Sequence, residues 1–123
     1  MSLHPAMLGV RFLLEMAAFA SYVVYGLCGL SGPWSLVVAV GLPIAAAVVW
    51  GTFAVPDDPS RSGRAPVPVP GAVRLAVELV VLAGGPVALW AARLPLWGLG
   101  FAVVLVAYLL LARDRVAWLL SRR

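Results

Sequence analysis

Long unbroken apolar runs, not an alternating or one-sided pattern, organise this chain. Four of them, approximately Met7–Leu30, Ser35–Val55, Ala72–Ala92 and Leu96–Ala112, approach or exceed the roughly 20 residues that a helix rising about 1.5 Å per residue needs to cross about 30 Å of hydrocarbon. Strand alternation is absent, and uniform Val, Leu and Ala runs satisfy their backbone in lipid only as helices, since a membrane barrel would alternate polar and apolar positions. The expected fold is therefore all-α, an integral membrane bundle of four transmembrane helices. Gly32-Pro33 and Leu94-Pro95 break the chain at two tight turns, each followed by a tryptophan suited to a membrane interface, Trp34 and Trp97. The longer connection Pro56–Gly71 carries Asp57, Asp58, Ser60, Arg61, Ser62, Gly63 and Arg64, then Pro66, Pro68 and Pro70 alternating with valine. It reads as a turn and a stiff polyproline-like strut that serves as a spacer. Pro43 and Gly84-Gly85-Pro86 predict bends inside the second and third helices.

Sliding the chain against itself so that Arg11 meets Arg74 also aligns Glu15 with Glu78 and Trp34 with Trp97, with Val, Leu and Ala matches between them. Apolar identities are cheap in this composition, but Arg, Glu and Trp are scarce. The chain therefore reads as two tandem helical hairpins, about 7–55 and 72–112, joined by the linker 56–71 and followed by a basic tail 113–123. Both hairpins start on the same side of the membrane, which makes them parallel repeats about an axis along the membrane normal.

Composition strengthens the membrane reading: of 123 residues 63% are hydrophobic and 11% charged, against roughly 25% charged in a soluble domain. All nine basic residues are arginine, and the net charge is +4. Arg61 and Arg64 lie in the linker and Arg113, Arg115, Arg122 and Arg123 in the tail, so the positive-inside rule places both termini in the cytoplasm, with the chain expected in the cell's inner (plasma) membrane. Arg11 and Glu15 interrupt the first apolar run and argue against a cleaved signal peptide. Cys28 is a lone apolar thiol, and no nucleic-acid partner is implied.

The charges inside the spans carry the candidate chemistry. Arg11 and Glu15, like Arg74 and Glu78, are four apart and share a helix face, and both pairs fall at one depth near the cytoplasmic interface. Cross-pairs, Arg11 to Glu78 and Arg74 to Glu15, are an alternative geometry, because Arg before Glu is the weaker order within one helix. Tyr22 continues the face in the first helix, and Trp50 at the end of the second lands at the same depth. Arg11, Glu15, Tyr22, Trp50, Arg74 and Glu78 are the expected ligand-binding set, an inner-leaflet pocket that binds or transports a small molecule or lipid. A membrane-embedded acid/base isomerase or cyclase with Glu15 and Glu78 as catalytic groups, and Phe12, Tyr25 and Phe53 as further lining, is an alternative. A neutral clamp or partner-binding face is another. Neither a metal site nor a cofactor motif is present in the sequence, His4 stands alone beside the N-terminus, and self-association with further copies is expected.

Arg11-Phe12-Leu13-Leu14-Glu15, Trp50-Gly51-Thr52-Phe53-Ala54-Val55-Pro56 and Arg74-Leu75-Ala76-Val77-Glu78 resemble the hallmarks of the YrdB-like family of small four-helix bacterial membrane proteins of unknown function. The resemblance implies the architecture and these residues, without implying an activity. Asp57-Asp58 stands where related chains tend to carry basic residues. A weaker similarity is to small multidrug-resistance transporters, which also have a membrane glutamate in the first of four helices, but Arg11 beside Glu15 would repel a cationic drug.

Overall fold

The computed structural model describes residues 3–58 and 65–122, so Arg61, Arg64 and Arg123, on which the expected topology partly rests, lie outside the described residues. Its elements are α1 (Pro5–Gly29), α2 (Pro33–Thr52), α3 (Gly71–Ala91), α4 (Pro95–Leu111) and α5 (Arg113–Ser121). Two residues of β1 (Phe53–Ala54) pair in parallel with two of β2 (Val67–Pro68) between α2 and α3. Proline opens α1, α2 and α4, where its fixed φ suits the first turn and its missing N–H costs nothing. The His4 side chain caps α1 by accepting from the Ala6 amide at 3.1 Å. The helices continue through Pro43 and Pro86.

Packing follows a simple order. Helix α1 packs on α2 and α3, and α3 packs on α4 and α5, so α1 and α3 are central while α2 and α4 flank them. The buried core runs through Leu14, Ala18, Tyr22, Leu82, Ala88, Leu105, Tyr108 and Ala112. On α2 only Ala39 is buried, leaving Leu36, Val37, Val40, Ile44 and Val48 exposed. In water so much uncovered apolar surface would drive aggregation; in lipid it costs nothing. Three helices, α1, α2 and α3, are each long and apolar enough to cross a membrane, and there are four spans if α4 and α5, bent by 64° at their junction, count as one. This is an all-α chain of the multi-pass membrane kind.

Two segments differ from expectation. The second helix stops at Thr52, short of Val55, because Phe53 and Ala54 leave it to pair with Val67 and Pro68, and the Val69 amide donates to the Ala54 carbonyl at 2.9 Å. The basic tail is a helix lying against the start of α3. The Gly71 amide donates to the Arg122 carbonyl at 2.8 Å, and a Cβ on Gly71 would sit 1.5 Å from the Leu119 carbonyl oxygen. Glycine at position 71 is what allows the two backbones to touch.

Candidate functional site

Helical spacing carries Arg11 and Arg74 to one end of the bundle, on the faces of α1 and α3 that meet. Arg11 is 5% exposed and Arg74 is fully buried, so both guanidiniums must find partners within the protein. Arg11 Nε lies 3.3 Å from Glu15 Oε1, and Arg74 Nε lies 3.1 Å from Glu78 Oε1, the two pairs within their own helices. Of the two cross-pairs expected, Arg11 to Glu78 forms, with Nη2 at 3.1 Å from Oε1. Arg74 also donates through Nη1 to the backbone carbonyls of Trp50 and, at 2.8 Å, Phe53, the open C-terminal end of α2 where a cation is favoured. The Trp50 ring stacks beneath both cations, its centroid 4.6 Å from Arg74 Cζ and 5.6 Å from Arg11 Cζ.

Two further residues complete the cluster. Arg115 on α5 reaches over the end of the bundle and donates to the same Glu78 Oε1 that Arg11 and Arg74 use. Its other bonds form a two-pronged pair with Asp58, Nη1 to Oδ1 and Nη2 to Oδ2, each at 2.9 Å. Asp58 is 2% exposed, in a linker that reads from sequence as a spacer. Burial opposes the Arg115 charge, and its hydrogen bonds with Asp58 and Glu78 offset that cost. Three guanidiniums thus face three carboxylates, Glu15, Asp58 and Glu78, and the cluster is neutral.

The space left beside the cluster, lined by Arg11, Glu78, Tyr108 and Arg115, is about 10 Å³, room for about one water. The sequence-selected residues Arg11, Glu15, Trp50, Arg74 and Glu78 are therefore brought together. Tyr22 is not: its hydroxyl donates to the Val81 carbonyl on α3, nearer the middle of the helix. Phe12 is exposed at 57% and faces outward. Among the described residues no group of three His, Cys, Asp or Glu is placed to hold a metal ion. Asp58, Tyr108 and Arg115 escape sequence reasoning. The available signal was the four-residue step from Arg115 to Leu119, which gives the tail a buried face.

Comparisons with known proteins give the chain a family without adding an activity. A family described as "Protein of unknown function (DUF2568)" matches residues 9–106, which span every member of the cluster except Arg115. The chain is 37% identical over 120 residues to "Uncharacterized protein YrdB" of Bacillus subtilis (strain 168), covering 98% of each chain. No solved structure matches. Matched over most of its length by that family, and aligned almost end to end with a YrdB protein, the chain belongs to the DUF2568 family of YrdB-like proteins of unknown function.

Proposed function

We propose that this chain is a four-span inner-membrane bundle of two parallel hairpins, whose charged cluster is a structural latch at the inner leaflet and whose outward apolar faces are its binding surfaces. The observation that carries the latch is the filling of the site: one oxygen of Glu78 takes three guanidiniums, and only about 10 Å³ remains beside them. A recess for a small molecule spans hundreds of Å³. An acid/base enzyme needs its carboxylates open to substrate, and these are occupied by arginine.

The two-hairpin reading is supported by equivalent contacts. Ser35 on α2 donates to the Gly26 carbonyl on α1 at 2.7 Å, and the aligned pair on α4 and α3, Gly98 and Leu89, is also in contact, 3.6 Å from a Cβ built on Gly98 to the Leu89 Cβ. Both Arg-to-Glu pairs recur at matching positions. The arginines of the tail favour cytoplasmic termini. Single cysteines at Ser31 and Ser121, labelled from either side of sealed vesicles, test the orientation: Ser121 is expected to react from the cytoplasmic side and Ser31 from the opposite side, and the reverse would overturn it.

The ligand-recess reading survives in one form. Arg115 comes from α5, beyond the 64° bend, and Asp58 from the linker, so their departure would uncover Glu78 and leave Arg11 and Arg74 facing an opening. Arg115→Gln separates the two readings. A latch predicts lower stability and no gain in binding across anionic and cationic probes, whereas a gated recess predicts new affinity.

A further inference from the structure

Helix α5 carries more than the latch uses. Within the cluster three guanidiniums cancel three carboxylates, so the net charge of +4 belongs to the remaining six arginines against Asp57 and Asp114. Of those six only Arg93 belongs to the α3–α4 turn, at the other end of the bundle. Arg113 opens α5 and Arg122 caps its end, both exposed, while Arg115 and Leu119, four apart, form its buried face. Beside that face Trp118 is half-buried and stacks with the Arg122 guanidinium, Cζ lying 4.7 Å from the ring centroid. On the other flank are half-buried Val116 and, four residues on, Leu120, which is 58% exposed. The Arg122 backbone is held as well, its amide donating to the Leu119 carbonyl at 3.1 Å and its carbonyl accepting from the Gly71 amide. Its guanidinium is therefore presented from a fixed helix end.

We propose that α5 is an interfacial helix that binds anionic phospholipid headgroups of the cytoplasmic leaflet through Arg113 and the Trp118–Arg122 stack. The inference rests on the spans and orientation proposed above. Helix α5 leaves the α4 axis by 64°, so where α4 crosses near the membrane normal α5 lies closer to the membrane plane than to that normal. A helix so placed, with apolar flanks and an arginine at each end, matches a leaflet surface: Trp118 and Leu120 meet the acyl boundary while the guanidiniums stay level with the phosphates. Stacking on the indole uses the face of the Arg122 guanidinium, and its planar fork of N–H groups suits two phosphate oxygens. A free phosphate would leave Trp118 and Leu120 uncovered in water, and a zwitterionic headgroup would leave the excess positive charge unanswered. Asp114 is the one carboxylate on α5, eight residues or about 12 Å along the axis from Arg122, too far to neutralise that end.

The test places a fluorophore on full-length protein carrying Cys28→Ser and Leu120→Cys, reconstituted in phosphatidylcholine vesicles. A trace of phosphatidylglycerol or of phosphatidylcholine, each with a nitroxide near its headgroup, serves as quencher. Quenching by phosphatidylglycerol is expected to exceed that by phosphatidylcholine by at least about threefold at low salt, and to fall to parity at high salt. Arg113→Gln with Arg122→Gln is expected to abolish the preference, and Arg113→Lys with Arg122→Lys to keep most of it, since neither residue belongs to the latch. Equal quenching by the two lipids, no quenching by either, or a preference that survives the glutamine pair overturns the proposal. A response to added polyglutamate without a preference for phosphatidylglycerol gives the surface to an acidic polypeptide and also overturns it. The same fluorophore at Val40→Cys on α2, read with a nitroxide deep in the acyl chain, separates this idea from the one beneath it. Quenching there but not at Leu120→Cys removes the α5 proposal alone, whereas no quenching at Val40→Cys removes the spans and the proposal with them.

Discussion

Glu78 sits where α1, α3 and α5 each deliver a guanidinium to the same carboxylate oxygen, so its removal is felt by three elements at once. Taking one partner from a buried ion pair costs about 3–5 kcal/mol, because the remaining charge is left in a poor solvent. Glu78→Gln is therefore expected to destabilise the protein by at least this range, measured by steric trapping in bicelles. Glu15→Gln is expected to cost less, since that side chain is more exposed, at 16% against 9%. Tyr22→Phe removes one hydrogen bond to the Val81 carbonyl and is expected to cost about 0.5–1.5 kcal/mol, leaving the cluster intact. Arg11, Glu15, Arg74 and Glu78 were legible in the sequence because a helix converts a spacing of four into a shared face. Trp50 was legible because its depth follows from its place in a span. Asp58 and Arg115 were not, since a linker and a bent junction carry no periodicity that places a side chain.

Four of the five helices among the described residues follow directly from apolar runs, and proline fixes where three of them start. Helix α5 does not, because Arg113-Asp114-Arg115 breaks the run and reads as a solvated tail. Only its fit against α3, through Leu119 and the bare Gly71 backbone, makes it part of the bundle. Gly71→Val is expected to lift α5 away, since even a Cβ overlaps the Leu119 carbonyl. Amide exchange over residues 113–121 should then rise at least about tenfold, with the middle of α1 and α3 unchanged. Exchange that rises throughout all five helices would instead make α5 a folding requirement for the whole bundle. The early end of α2 has the same kind of cause. The residues that follow it, Phe53 and Ala54, pair with the valine and proline strut, a contact visible only once the linker has folded back.

At the scale of the molecule, α1 and α3 pack face to face, a neutral cluster ties them at one end, and much of the remaining apolar surface is exposed. The cluster joins segments far apart in sequence: Arg11, the end of α2, Asp58, Arg74 with Glu78, and Arg115. Such a knot fixes how α1, α3 and α5 sit against one another. The most direct test of the latch is an experimental density map at side-chain resolution of the full chain in a lipid nanodisc. The account predicts continuous density joining Arg11, Arg74 and Arg115 to Glu78, with space for about one water beside it. Non-protein density lying between separated arginine and glutamate side chains would contradict it.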